Sequence, residues 1–268
     1  MRLRWRPSTT DGADPTGDLS GFSEQRMTSE RKRNLPTRFA LFLLKLAAGL
    51  LLFSVVWVTA LKWMPVRVTP LMVQRSWTHR KDPDFRTQKK WRRLDRISPE
   101  LAKAVIASED QRFFDHDGFD RTEIRNALDE RKKGTRRRGA STISQQTAKN
   151  VFCWPSRSWV RKGVEAWFTI LIEKIWGKER ILEVYLNVAE MGTGIYGAEA
   201  AAQAHFGHAA ARLSRREACL VAACLPNPLQ RSPAKPSAYV SRRATEISRQ
   251  IGNLAYPDWI TRRGSKAD

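Results

Sequence analysis

The chain has 268 residues and a formal net charge of +21 at pH 7. Residues 1–61 hold nine Lys or Arg and five Asp or Glu, so residues 62–268 still carry 39 basic and 22 acidic side chains. This surplus favours a polyanionic partner such as anionic lipid, nucleic acid or pyrophosphate, and charge alone does not choose among them. The odd number and the spacing of Cys153, Cys219 and Cys224 argue against a disulfide framework or a zinc site and predict buried small side chains.

Residues 1–38 are rich in Arg, Asp, Ser, Thr, Gly and Pro, a composition typical of a disordered tail. Residues 39–61 contain a single charge, Lys45, and a helix of that length, at about 1.5 Å per residue, spans a hydrocarbon core of about 30 Å. The alternative is a cleaved signal peptide, but its apolar region is only about 7–15 residues long. We therefore expect a membrane anchor, and the basic residues before it predict a cytoplasmic N-terminus.

The rest of the chain is predicted to be a connector over residues 62–95 and one mainly α domain over residues 96–268. Ser98 is placed to cap a helix that has Pro99 at its first position. Further helices are indicated by apolar residues at helical spacing over 159–176, 178–187 and 215–224. No alternating pattern is long enough to predict a sheet.

Glu109 follows the apolar residues of this first helix at helical spacing, so its carboxyl group is expected at the edge of the apolar face. A carboxylate held against apolar neighbours loses hydration, which raises its pKa toward the range of a general acid or base. The alternative is a structural carboxylate paired with Arg112. Residues 109–120, EDQRFFDHDGFD, mix five acidic residues with three Phe, which neither a core nor a solvated surface explains. His116 taken singly is more simply a structural histidine.

Basic and polar stretches follow this acidic segment. Residues 131–138, RKKGTRRR, predict a solvated loop able to meet phosphates or lipid head groups. Residues 139–150, GASTISQQTAKN, offer neutral groups for sugar hydroxyls and phosphate oxygens, although the start of an ordinary polar helix explains them almost as well. Four cations precede or flank Glu165 and form either helix-surface ion pairs or a pyrophosphate clamp. These cations are Lys149, Arg157, Arg161 and Lys162.

Together these stretches resemble the monofunctional peptidoglycan glycosyltransferases of family 51, whose domain is also the N-terminal half of bifunctional penicillin-binding proteins. The first family motif is met by Glu109, Asp110, Phe113, His116, Gly118 and Asp120. The second, Gly-x-Ser-Thr-Ile-Thr-Gln-Gln, is met over residues 139–146 with Ser144 in place of the second Thr. The third motif is met by Arg161, Lys162 and Glu165. The fourth is met by residues 178–187 together with the glycine-rich residues 192–197.

The resemblance implies a lysozyme-like helical lobe, a smaller membrane-associated lobe and a cleft that binds lipid II and the growing glycan chain. It implies that Glu109 deprotonates the acceptor 4-hydroxyl, which attacks the donor with inversion and displaces undecaprenyl pyrophosphate. It also implies that Glu165 is a second catalytic residue near the pyrophosphate. Whether a divalent cation, Mg²⁺ or Mn²⁺, binds there as a cofactor is left open. The residues implied in substrate binding are Asp110, Ser141, Thr142, Gln145, Gln146, Lys149, Arg157, Arg161 and Lys162.

The same resemblance implies a bacterial inner-membrane protein with a periplasmic catalytic domain. Membrane lipids are expected partners, other cell-wall or division proteins stay open, and neither nucleic acid nor a separate metal site is expected. The tetrapeptide SPAK at 232–235 matches the Ser-x-x-Lys of penicillin-sensitive transpeptidases, but it contains a proline and no later motif follows, so we interpret it as a chance match.

Two alternatives to the transferase stay open at this stage. A lysozyme-like lytic glycosidase shares the catalytic Glu and the helical cleft, but it has no evident need for a pyrophosphate clamp. A non-catalytic basic membrane scaffold explains the charge and the anchor, but it leaves Glu109, His116 and the paired glutamines unexplained.

Overall fold

The structure is a computed structural model that describes residues 20–134 and 139–261, with side chains from residue 37 onward. The mainly α fold expected from the sequence is confirmed. The helices in these ranges are α1 (Ser20–Leu61), α2 (Pro70–Thr78), α3 (Pro99–Glu109), α4 (Arg121–Lys132), α5 (Ile143–Phe152), α6 (Trp159–Ile175), α7 (Gly177–Val188), α8 (Ala198–Phe206), α9 (Arg215–Cys224), α10 (Ala238–Gly252) and α11 (Asp258–Thr261).

Helix α1 contains a 25-residue segment, Thr37–Leu61, whose most apolar stretch of 18 residues has a mean hydropathy of 2.4, and the helix is by length and composition able to cross a membrane. The helix begins at Ser20, so the backbone of residues 20–38 is helical where the composition predicted a disordered tail. Extending an existing helix costs far less free energy than nucleating one, which accounts for the earlier start. Residues 1–19 and 135–138, the latter within the predicted basic loop, lie outside the described residues.

By its contacts the chain divides into one unit that ends at Ser54 and a second unit that begins at Val55. The last turns of α1 therefore belong to the second unit, where Val58 is fully buried. The carbonyl oxygen of Val58 accepts a hydrogen bond of 2.7 Å from the indole N–H of Trp176. This bond satisfies one of the carbonyl groups that a helix leaves unpaired at its C-terminal end.

Helices α3, α6, α7 and α9 lie close to their predicted ranges. The Ser98 hydroxyl caps α3 by accepting the Glu100 N–H, and Pro99 occupies the first position. Every residue of α9 from Ala218 to Cys224 is buried, and α9 packs against α3 and α10 in the centre of the core. The three cysteines are buried, as predicted, and all three are free.

The connector over 62–95 is more ordered than the sequence indicated, since it contains α2 and one strand. The strands β1 (Gln88–Lys89), β2 (Glu190–Gly192) and β3 (Ile195–Tyr196) form a sheet in the order β1-β3-β2, with β1 parallel and β2 antiparallel to β3. Strands of two or three residues are too short to show an alternating pattern, so no sheet was predicted. Asn187 fixes the connector, because its side chain accepts from the N–H and donates to the carbonyl of Arg92, both at 2.7 Å.

Gly197→Ala is expected to destabilise the fold more than Gly207→Ala. Both glycines have a positive φ, 82° and 73°, so both substitutions incur backbone strain of about 1–3 kcal/mol. At Gly197 a Cβ would in addition lie 2.7 Å from the carbonyl oxygen of Asn187, whereas at Gly207 no neighbouring atom lies within 4 Å. Thermal unfolding of the full chain in detergent should give the lower midpoint for Gly197→Ala, and equal midpoints would contradict the close contact.

Candidate active site

The C-terminal end of α3 places Glu109 beside α5. Gln146 donates from Nε2 to Glu109 Oε2 at 2.8 Å, and the hydroxyl of Tyr185 on α7 donates to Gln146 Oε1 at 3.3 Å. Among the described residues, Arg112 pairs with Asp120 at 3.7 Å and makes no ion pair with Glu109. The alternative of a structural Glu109–Arg112 pair is therefore not what the structure contains.

Burial raises the pKa of the Glu109 carboxyl above its usual value. The hydrogen bond from Gln146 and the positive charges of Arg243 and Lys149 lower this pKa, whereas the negative charge of Asp110 raises it further. A carboxyl group with a raised pKa and a hydrogen-bond donor to its ionised form suits proton transfer near neutral pH. The raised pKa that the apolar flank predicted is thus supported by the burial of the side chain.

The Asp110 side chain bonds to the protein itself. Its Oδ1 lies 3.0 Å from His116 Nε2, and its Oδ2 accepts the Ile143 N–H at 2.9 Å. His116 Nδ1 accepts the Gly118 N–H at 3.1 Å, so these bonds assign the imidazole proton to Nε2. His116 is a structural histidine, and the geometry favours a structural role for Asp110 over the substrate-binding role predicted for it.

Some residues of the second motif bond to the backbone of the fold, and others face Glu109 or solvent. Thr142 Oγ1 accepts the Gln145 N–H and donates to the Gly118 carbonyl, while Gln145 Oε1 accepts the Thr142 N–H in a reciprocal capping box. Thr142 and Gln145 are 3% and 5% exposed and their polar groups bond to the start of α5, and the substrate role expected for them stays a prediction. Ser141 is exposed and Gln146 faces Glu109, so these two residues remain at the site.

Two of the four cations form ion pairs with Glu165 along α6, which is one of the two alternatives that the sequence left open. Glu165 is 3% exposed and pairs with Arg161 at 2.6 Å and with Lys162. Desolvation lowers the pKa of the Lys149 ammonium, and the positive charge of Arg161 lowers it further, whereas the negative charges of Glu165 and Glu109 raise it. Lys149 therefore stands within electrostatic reach of both carboxylates.

A pocket of about 400 Å³ opens beside these cations. Its lining includes the basic residues Lys149, Arg157 and Arg161 and the apolar residues Leu71, Trp154 and Pro155. Positive charge next to apolar surface suits a ligand that has an anionic part and an apolar part. Cys153 also lines the pocket, and burial raises the pKa of its thiol to about 11, which keeps the thiol protonated and makes it a poor nucleophile.

Neither group of acidic residues near the site fits a divalent cation. Glu165, where the resemblance left a cation open, already has both carboxylate oxygens paired with the two neighbouring cations. Ligand atoms of Asp110, His116 and Asp120 lie within 4.8 Å of one another. However, His116 Nε2 carries the proton that it donates to Asp110, so its lone pair is not available to a metal.

Three residues of the site were not predicted from the sequence. Tyr185 lies in the fourth motif, where its spacing indicates burial and nothing more. Arg243 lies on α10, and the amphipathic pattern of that helix gives no sign that the arginine approaches Glu109. Leu71 lies on α2, inside the segment that was taken for a connector.

Known proteins of one family are similar to this chain in sequence. A family model described as Transglycosylase matches residues 77–252. A biosynthetic peptidoglycan transglycosylase of Bacteroides thetaiotaomicron is 54% identical over 77% of this chain and 86% of its own length. Proteins of the same name from Pseudomonas putida F1 and Pseudomonas aeruginosa PAO1 are 50% and 51% identical over 81% and 78% of this chain, and over 93% and 90% of their own lengths.

Asp110→Asn is expected to lower the thermal midpoint. Both oxygens of the carboxylate accept a hydrogen bond, and the amide would replace one of them with an NH₂ group that faces another N–H donor. A buried polar group left without its partner costs about 1–3 kcal/mol. Asp115→Asn is the control, since Asp115 is half exposed or more and pairs loosely with Arg112 at 3.9 Å. An Asp110→Asn protein that keeps the wild-type midpoint but loses substrate binding would restore the substrate-binding role.

Proposed function

Since the chain belongs to the peptidoglycan transglycosylase family and is therefore a peptidoglycan glycosyltransferase, we propose that it polymerises lipid II. In this reaction the growing glycan chain passes from undecaprenyl pyrophosphate to the 4-hydroxyl of lipid II. The observation that carries the proposal is a half-buried carboxylate, Glu109, and a cationic pocket, both reached from one face of α5. Gln146 and Lys149 are three residues apart on that helix, so they lie on the same face.

Glu109 is the proposed general base. As the acceptor oxygen attacks the anomeric carbon of the donor, the O–H bond breaks and the proton passes to the Glu109 carboxylate. The bond from the anomeric carbon to the pyrophosphate oxygen breaks on the opposite side, so the configuration inverts. Burial supports this role because it raises the pKa of Glu109, and Gln146 supports it by donating to the ionised form.

The cationic pocket is the proposed site of the leaving pyrophosphate. Lys149, Arg157 and Arg161 line it and would neutralise the negative charge that develops as the bond to the anomeric carbon breaks. Glu165 is proposed to act through its ion pairs, by holding Arg161 and Lys162 in place. Because both of its oxygens are paired, no step of the proposed mechanism passes through a metal ion.

The apolar part of the pocket supports a lipid-linked substrate. Leu71, Trp154 and Pro155 lie beside the cations and offer a surface for the first carbons of the polyprenyl chain. Other large apolar side chains near them in the sequence are exposed, including Trp77 at 68% and Trp159 at 92%. Together with a helix able to span a membrane, these features support membrane lipids as partners and a single-pass anchor. The basic residues before the span support a cytoplasmic N-terminus, which would place the domain in the periplasm, at the bacterial inner membrane.

The SPAK tetrapeptide gives no support to a transpeptidase activity. Ser232 Oγ accepts the backbone N–H of Lys235 at 3.3 Å, and the segment lies outside the helices. The Ser-x-x-Lys motif of a transpeptidase places its lysine side chain beside the serine, whereas the contact here comes from the lysine backbone. We therefore propose glycan polymerisation as the activity of this domain, without peptide cross-linking.

Glu109→Gln is expected to abolish polymerisation while lipid II binding is largely kept, because the shape remains and the proton acceptor is lost. General-base catalysis contributes about 10²–10⁴-fold. Glu100→Gln is the matched control, since Glu100 lies on the same helix and pairs with Lys103 at 3.0 Å. The assay follows labelled lipid II into polymer with penicillin present. Retention of more than a few per cent of the rate would remove Glu109 from the base role, and lysis of preformed glycan would favour the lytic glycosidase.

Lys149→Ala is expected to raise KM and lower kcat together, because the ammonium group would attract the pyrophosphate of the bound substrate and of the transition state. We expect kcat/KM to fall by about 10²-fold. Lys174→Ala, which removes an exposed lysine from α6, should leave both constants unchanged. Steady-state kinetics with lipid II test this, and an unaltered response to Lys149→Ala would contradict the clamp.

A further inference from the structure

Tyr185 is a buried polar residue beside the proposed base, and the mechanism above gives it no task. Its side chain lies on α7, is 1% exposed and donates its hydroxyl hydrogen to Gln146 Oε1 at 3.3 Å. Desolvation, with the negative charges of Glu109 and Asp110, raises the pKa of Tyr185 well above its usual value. The residue is therefore a neutral phenol throughout the working range of an enzyme and keeps a proton to donate.

Gln146 stands between this phenol and the carboxylate of Glu109. A glutamine amide donates through Nε2 and accepts through Oε1, and an ionised carboxylate only accepts. The useful orientation of Gln146 thus turns Nε2 toward Glu109 and leaves Oε1 in need of a donor inside the protein. The Tyr185 hydroxyl supplies that donor, and a hydrogen bond to the amide oxygen also strengthens the bond that the amide nitrogen gives.

We propose that Tyr185 is a positioning residue of the transferase reaction, whose hydroxyl holds the Gln146 amide so that its nitrogen donates to the Glu109 carboxylate. The inference rests on the proposed role of Glu109 as the base. Tyr185 thus joins Gln146 and Glu109 in one hydrogen-bonded group, and it comes from α7, whose residues are mostly part of the core. The contact joins α7 to α5 and α5 to α3, so it depends on the packing of all three helices.

The groups that act electrostatically on Glu109 come from several elements. Asp110 follows it in the chain, Lys149 lies on α5, Arg243 on α10 and Tyr185 on α7. After burial, the hydrogen bond from Gln146 has the largest influence on the pKa of Glu109, and it lowers that pKa. Loss of this bond therefore raises the pKa of Glu109, so less carboxylate is present at a given pH.

Tyr185→Phe keeps the ring and removes the hydroxyl. Gln146 Oε1 then lacks its donor and the amide is no longer held toward Glu109. The base works as a carboxylate, so the acid limb of the kcat/KM profile should move to higher pH. We expect a shift of about one unit, because that is the change in pKa that the loss of a hydrogen bond to a charged group produces. The rate on the acid limb should fall and should recover toward the wild-type value at alkaline pH, while KM for lipid II at alkaline pH stays the same.

Tyr196→Phe is the matched control. Tyr196 is also fully buried, and its hydroxyl donates over the same distance, 3.3 Å, to Glu190 Oε1 on the β2–β3 part of the sheet. This substitution removes the same group from a similar environment and should leave the acid limb in place. Gln146→Met is the second test variant, and it should move the limb in the same direction as Tyr185→Phe. The double variant should move the limb no further than Gln146→Met alone, because both changes remove one interaction.

A measurement independent of turnover separates this inference from the proposed function. Carboxyl groups of ¹³C-labelled glutamate in the full chain are titrated by NMR in detergent, and the Glu109 signal is assigned by its loss in Glu109→Gln. Tyr185→Phe should raise the pKa of Glu109, even if the wild-type protein makes no polymer and the proposed function fails. An unshifted Glu109 titration in Tyr185→Phe would overturn the inference, whether or not Gln146→Met shifts it, as would a loss of rate in Tyr185→Phe that is equal at all pH values.

Discussion

The Asp110 carboxylate connects the end of α3 to the start of α5, where unpaired backbone N–H groups and the positive end of the helix dipole favour a negative charge. Its other oxygen orients His116, which accepts the N–H of Gly118, and the carbonyl of Gly118 accepts the hydroxyl of Thr142. The segment between the two helices is thus closed by a ring of hydrogen bonds. Glu109 immediately precedes this ring, so its position relative to α5 is determined by the ring.

Helix α5 also separates two electrostatic environments that a transferase of this kind needs. Gln146 faces a carboxylate whose pKa is raised by burial, and Lys149, one turn later, faces a group of cations. Free cations so close to Glu109 would lower its pKa and weaken it as a base. Glu165 reduces that effect, because its negative charge partly neutralises Arg161 and its neighbour. The pairing around Glu165 therefore allows a basic pocket to lie within electrostatic reach of a proton acceptor through Lys149.

Sequence signals located Glu109 because they are local: a cap at Ser98, a proline after it and a helical apolar pattern that places the carboxylate at the end of α3. They did not show which motif residues face the cleft. Gln145 and Gln146 are adjacent and chemically identical, yet a rotation of about 100° per residue turns one toward the helix cap and the other toward Glu109. That outcome depends on where α5 begins and on what packs against it. The short strands and α2 are likewise stabilised by tertiary contacts more than by their own pattern.

The polar residues of the motifs consequently report on different properties when they are replaced. The side chains of Asp110, Thr142 and Gln145 bond to backbone groups between the end of α3 and the start of α5. Their loss weakens the structure that positions the base, so an inactive variant of this kind says little about chemistry. Within residues 37–134 and 139–261, the side chain of Gln146 bonds to Glu109 and Tyr185 and to no helix end. Its replacement changes the proton acceptor while that structure stays intact. Activity as a function of pH, measured beside the thermal midpoint, is therefore what distinguishes residues that form the site from residues that hold it.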